Sequence, residues 1–194
     1  MSDHMSDHMS DQAKPAACLL SAADLAAAPE LHVRHPLNPK SDVYLRSLGR
    51  PVGLSRLSLS LARIPPGKES FIHHWHMRDE EFVYILSGRG RAEIGDRVVE
   101  VGPGDFMGFT APSVGHHLTN PYDEDLVYLM GGEHSGFDIG VFPTVGKRML
   151  FAGDEIRLID EAEFRQLSFA DFLPEGLPEA YAPKPPEGRP DGDG

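Results

Sequence analysis

The chain has 194 residues, 40% of them hydrophobic, with a formal net charge of −12. That length suits one domain with extensions, and the apolar content is enough for a core. The charge argues against nucleic acid and against an anionic membrane surface, since both need clustered Lys and Arg and no basic run is present.

Residues 1–12 read MSDHMSDHMSDQ, a polar near-repeat that buries nothing, and residues 1–20 are expected to be a disordered leader. His4 and His8 within it can take up stray metal weakly. Residues 16–28 are apolar, but acidic and polar residues precede them and Asp24 interrupts them, unlike a secretory signal. The single cysteine, Cys18, allows no intrachain disulfide and fits a reducing compartment, so a cytoplasmic location is expected. No stretch reaches the ~20 apolar residues of a membrane span. Ser21 to Ala28 reads as a short helix, with Ser21 as cap and Pro29 after its end. It opens a segment, 21–54, whose Pro36, Pro39, Gly49 and Pro51 predict a loop or extended arm against the main domain.

From Leu57 the pattern turns to β. Leu57, Leu59 and Leu61 alternate with Ser58, Ser60 and Ala62, and Pro65-Pro66-Gly67 ends the strand. Short strands follow near residues 71–76, 81–86, 90–94, 97–101, 106–110, 115–120 and 125–130. Ser87-Gly88, Gly95-Asp96, Gly102-Pro103-Gly104 and Asn120-Pro121 separate several of them. Regularly spaced short strands indicate an all-β sandwich or barrel, with its core over 55–132. Beyond Gly131-Gly132, residues 133–173 form an extension. Phe137 to Ile159 predicts a further strand or two, and Asp160 to Leu167 a short helix capped by Asp160. From Pro174 to residue 194 six of 21 residues are proline, which predicts a disordered or extended tail. No long repeat is visible.

Five of the ten histidines lie in two short clusters. The first holds His73, His74 and His76, followed by the carboxylates Glu80 and Glu81. The second holds His116 and His117. On a strand His74 and His76 share one face, because side chains alternate. Two imidazoles with a nearby carboxylate begin a transition-metal site.

These segments resemble the two motifs of the cupins. Gly67, His74, His76, Glu81 and Gly88 match the first. Gly104, Asp105, Pro112, Gly115, His116 and Asn120 match the second. Six residues instead of five separate Gly67 from His74, and the spacing from Pro112 to His116 is one residue short. Of the first three histidines, only His74 and His76 keep the x-separated pair. The resemblance covers roughly residues 55–132 and implies a double-stranded β-helix, the jelly-roll barrel. It implies one divalent transition metal held by His74, His76, Glu81 and His116. Glu81 is odd-numbered where His74 and His76 are even, so Met77 to Glu80 must form a turn or bulge that resets the alternation. Val83 and Ile85 then share the inward face with Glu81.

By alternation His73, Trp75 and His117 face away from the ion, as does Tyr84, while Glu80 is a solvated turn residue. His134 reads as a loop histidine without a catalytic role, and no catalytic residue is assigned. The N/O donor set suits Fe, Mn, Ni, Co or Zn, and the absence of thiolates disfavours a Cys-type structural zinc site. The resemblance implies an enzyme acting on a small oxygen-rich molecule chelated to the metal. Dioxygenase chemistry is the leading expectation, with a sugar-phosphate isomerase or lyase, or a non-catalytic small-molecule-binding cupin, as alternatives. A phosphosugar needs Arg or Lys donors, for which Arg63, Arg91, Lys147 and Arg148 are available. Tyr84 and Tyr128 are possible proton donors. The resemblance also implies a homodimer, built by packing sheet faces or exchanging N-terminal strands.

Overall fold

The computed structural model describes residues 18–165, 167 and 169–172. The leader 1–12 and the tail 174–194 lie outside the described residues. Helix α1 (Ala22–Ala27) forms where expected: Ser21 Oγ accepts the Asp24 N–H at 3.1 Å, capping the first turn. No helix among the described residues is long and apolar enough to cross a membrane.

Among the described residues thirteen strands follow: β1 (Leu31–Val33), β2 (Val43–Ser47), β3 (Leu57–Ile64), β4 (Trp75–His76), β5 (Glu81–Ser87), β6 (Gly90–Ile94), β7 (Arg97–Val101), β8 (Phe106–Phe109), β9 (His116–Thr119), β10 (Leu126–Glu133), β11 (Phe137–Phe142), β12 (Lys147–Ala152) and β13 (Glu155–Asp160). Every strand pair is antiparallel. One sheet has the order β1-β2-β3-β10-β5-β8, a second β13-β12-β11-β4, and a third β7-β6-β9. An antiparallel bridge, His74 to His116, joins the second and third sheets, with both main-chain hydrogen bonds made, at 3.2 and 2.8 Å. The second and third sheets thus make one face of the jelly roll, and the six-stranded sheet makes the other.

Alternation along each strand decides what lies between the faces. Ala62 and Ile64 of β3, Ile85 of β5, and Leu126 and Tyr128 of β10 point inward and are almost fully buried. Each buried Ile or Leu contributes about 1.5–3 kcal/mol. Asn120, at the end of β9, is buried too. Its Nδ2 donates to the carbonyls of Ile64 at 2.8 Å and Glu124 at 2.7 Å, and its Oδ1 accepts from the Tyr122 N–H at 3.1 Å. That side chain ties the β9–β10 turn to β3. On the outer face of the six-stranded sheet the odd residues of β3 and the even residues of β5 and β8 face water. Leu57, Tyr84, Leu86 and Phe106 stand 55%, 39%, 44% and 65% exposed there.

The fold corrects four expectations. The arm at 30–54 is not a loop laid on the barrel: it supplies β1 and β2, and β2 pairs along β3 from Tyr44 opposite Arg63 to Ser47 opposite Ser60. The segment after β10 supplies three strands rather than one or two. The predicted helix from Asp160 does not form. Asp160 ends β13 and pairs with Lys147, its side chain caps nothing, and only a 3-10 turn, Glu161–Glu163, follows. Residues 166 and 168 of that segment lie outside the described residues. Of the strand expected near 71–76, only Trp75–His76 forms a strand, against Gly140 and Val141 of β11, and His74 adds the single bridge to His116.

Candidate metal centre

The chain reaches the centre from three directions. β4 brings His76, and the bridge to β9 sets His74 opposite His116. The strand then breaks at 77–80 before β5 begins with Glu81, as the parity argument required. That turn is held by two main-chain bonds and by one to the Asp138 carboxylate. Met77 N–H donates to the Ile139 carbonyl at 3.0 Å and Arg78 N–H to Asp138 Oδ1 at 2.9 Å, while Glu80 O accepts from Glu133 N–H at 2.9 Å. Glu81 thereby turns inward with Val83 and Ile85, while Glu80 stays exposed.

The imidazole Nε2 atoms of His74, His76 and His116 lie 3.8, 3.5 and 3.2 Å from one oxygen, Oε2 of Glu81. Ligand atoms about 2.1 Å from a common ion stand roughly 3.0–3.4 Å apart, so one ion fits among these donors. His74, His76 and Glu81 alone already form a group able to hold a metal. His74 donates from Nδ1 to the Ile72 carbonyl at 2.6 Å, which leaves the Nε2 lone pair for the centre. His116 stacks on Phe109, with ring centroids 3.6 Å apart and planes within 6°.

The electrostatics suit a cation. Burial, helped by the His116 charge, pushes the His74 imidazole down to about 3, so it is neutral at ordinary pH. Burial alone would raise Glu81, but hydrogen bonding to His116 and the charges of His76 and His74 bring it down to about 2. His74 and Glu81 therefore have their metal-binding forms ready: neutral imidazole and ionised carboxylate.

Asp138 was not anticipated. It lies on β11, 4% exposed, and its Oδ2 pairs with His76 Nδ1. Burial opposes its charge, but that hydrogen bond holds its carboxyl below the usual range. Burial also opposes charge on His76, and Asp138 outweighs it, so His76 is raised. A carboxylate behind a histidine fixes the tautomer and points the other nitrogen at the ion. The sequence held a signal: Asp138 sits within the apolar run FDIGVF, where a buried acid needs a partner. Replacing it with asparagine is expected to weaken metal affinity about 10–100-fold while the protein stays folded, as measured by competition with a chelator.

The neighbouring histidines point elsewhere. His73 Nδ1 lies 3.6 Å from Glu93 Oε2, and buried His117 sits 3.5 Å from both Glu93 and Glu69. Trp75 is half-buried opposite Val141. Tyr84 is outward-facing, and Tyr128 is buried in the core, where burial pushes its hydroxyl well up. The four possible anion donors are ion-paired or exposed. Arg63 pairs with Glu30 and Asp125, Lys147 with Asp160 and Arg148 with Glu161, while Arg91 is exposed on β6. Arg50, from a 3-10 turn after β2, instead lines a cavity of about 380 Å³ that reaches His76 and Glu81. His134, set aside from the sequence, lines the same cavity. A second cavity, of about 170 Å³, also reaches His74, His76 and Glu81.

Jelly roll and donor cluster together define a barrel protein with a group of side chains able to hold a metal. The family profile described as the cupin domain matches residues 60–132. The chain is 36% identical to a candidate sugar phosphate isomerase from Acidithiobacillus ferrooxidans, over 78% of this chain and 97% of that one, with a TM-score of 0.75. A cupin-superfamily sugar phosphate isomerase from Silicibacter pomeroyi is 20% identical, over 72% and 93% of the two chains, with a TM-score of 0.63. A cupin-2 domain protein from Rhodospirillum rubrum is 23% identical, over 77% and 87%, with a TM-score of 0.51. No protein of curated function matches. This chain belongs to the cupin family.

Proposed function

We propose that this protein is a metal-dependent enzyme of the isomerase type acting on a small phosphorylated sugar, with one divalent ion among His74, His76, Glu81 and His116. The observation that carries the reading is the convergence of three Nε2 atoms on Glu81 beside a cavity that also holds Arg50. The likeness to the Acidithiobacillus protein over nearly its whole length supports the substrate class. When bound, the ion (Fe, Mn, Ni, Co or Zn) polarises a carbonyl or hydroxyl oxygen of the substrate. The protein's own groups do the rest. Asp138 holds His76 in one tautomer, and Phe151 gives both cavities an apolar wall. Arg50 has no ion-pair partner among the described residues and is placed to take a phosphate. The dioxygenase chemistry favoured from sequence draws no support from these relatives, whereas the isomerase alternative does.

The test is turnover of aldose and ketose phosphates by metal-loaded protein in deuterated water, read by NMR, with oxygen uptake followed in parallel. Isomerisation without oxygen uptake supports the reading, and turnover that consumes oxygen sinks it. Arg50→Ala is expected to raise KM about 10–100-fold for a phosphorylated substrate, with kcat little changed, because a charged hydrogen bond is lost.

A cytoplasmic setting and a homodimer belong with this proposal. Leu57, Tyr84, Leu86 and Phe106 leave on the order of 400 Å² of apolar surface on the outer sheet face, about half of what one partner buries in a stable interface. Light scattering is expected to give twice the chain mass of 21.3 kDa, and a single chain mass at micromolar concentration would remove the dimer.

A further inference from the structure

His35 belongs to no motif in the sequence and lies between β1 and β2, on the N-terminal arm. It nevertheless lines the cavity of about 170 Å³ together with His74, His76 and Glu81. The other side chains around that cavity, Phe71, Phe142, Met149 and Phe151, are apolar. Among the described residues His35 is therefore the one polar group there outside the donor cluster.

Its placement is fixed by its surroundings. The His35 N–H donates to Ser41 Oγ at 3.0 Å, and its carbonyl accepts from Asn38 N–H at 3.1 Å. Asn38 and Ser41 are both buried, and Asn38 Nδ2 donates to the Phe71 carbonyl at 2.6 Å, clamping the loop to the segment that leads into His74. The ring packs against Phe142, with centroids 5.3 Å apart, and Phe142 in turn stacks on His74 at 6.0 Å. Nδ1 accepts the Leu37 N–H at 3.3 Å. A neutral imidazole with one nitrogen accepting carries its proton on the other, so the free donor is Nε2–H.

We propose that His35 is a substrate-contacting residue of the centre, donating an Nε2–H hydrogen bond to an oxygen of the bound molecule. This rests on the metal-centre reading above and narrows it. The substrate then carries adjacent oxygens, one toward the ion and one toward the arm, as in a hydroxy-carbonyl or its enediol. A neutral donor aimed at an oxygen on which charge develops stabilises that charge without a proton changing hands. Burial pushes the His35 imidazole below its ordinary range, in keeping with a ring that stays neutral.

The experiment uses full-length zinc-loaded protein and acetohydroxamate, a planar oxygen chelator shaped like an enediolate. Zinc content is measured first. Binding of the probe is then followed by calorimetry and by the Nε2–H resonance of His35 in histidine-labelled protein. The resonance is expected to shift on binding. His35→Phe, which keeps the packing against Phe71 and Phe142, is expected to retain zinc and weaken the probe about tenfold. His35→Gln, which restores a donor, is expected to recover most of that loss. Zinc retained with the probe bound equally by wild type and His35→Phe, or not bound by wild type, overturns the role of His35 alone. So does equal weakening in both variants with an unmoved wild-type resonance, which would mark a purely structural role. Wild-type protein that holds no zinc overturns the metal-centre reading and this inference with it.

Discussion

Protein carrying His76→Ala and His116→Ala together is expected to fall from about one equivalent of transition metal to a trace, by mass spectrometry after desalting. The substitutions remove two of three nitrogen donors and leave His74 and Glu81 3.8 Å apart with nothing to complete the shell. Metal held by a full set of protein ligands is worth about 10–16 kcal/mol, so losing half of them costs at least about a thousandfold in affinity. The barrel should survive, since the bridge between the strands bearing His74 and His116 is made by main-chain groups at 2.8 and 3.2 Å. An unchanged circular dichroism spectrum would confirm that. His4 and His8 in the leader must be replaced in both proteins, because loose metal there would blur the count. Metal retained at one equivalent in the double variant would remove the centre from these residues.

Gly88→Val is expected to abolish soluble, folded protein, and Gly88→Ala to lower stability by more than about 3 kcal/mol in urea unfolding. Gly88 has φ +75°, where a β-carbon alone costs about 1–2 kcal/mol. Here that carbon would also fall far inside contact with the Asp125 carbonyl oxygen, 3.0 Å from its carbon and 3.2 Å from Leu126 Cα. All three atoms are backbone, beside a leucine with no exposed surface, so nothing can give way. Gly67 supplies the control. Its φ is +71°, yet no atom lies within 4 Å of an added β-carbon, so Gly67→Ala should cost only about 1–2 kcal/mol. Equal losses at the two positions would show that conformation, and not the approach of Asp125, dominates.

The cluster was readable because its signal is local. His74 and His76 declare a shared face by spacing alone, and the odd parity of Glu81 demanded the break that the turn at 77–80 supplies. Asp138, Arg50 and His35 carry no spacing that ties them to the cluster, though the apolar run around Asp138 marks it as an acid in need of a partner. Asp138 is brought to His76 by the pairing of β4 with β11, a contact between residues 62 apart that no window of sequence contains. Arg50 and His35 sit in connections, where position depends on what the loop is pinned to. The arm misled for a related reason: its prolines and glycine are real breakers, but five residues between them, Val43–Ser47, suffice for a strand once β3 is beside them. The false helix at Asp160 shows how a capping residue can be claimed by another partner. Lys147, opposite it across β12 and β13, takes the carboxylate, and pairing wins over local propensity.

The bridge between His74 and His116 gives the centre a second consequence. It is the strand pairing that fastens the β4–β11–β12–β13 sheet to the β6–β7–β9 sheet, and the side chains it sets side by side are those that converge on Glu81. A cation gripping both would work as a clasp across the seam, so whatever free energy holds the ion also resists parting of the sheets. Scarcity of metal would then be felt as more frequent opening along this edge, exposing amides of β11 to solvent long before the rest of the barrel gives way.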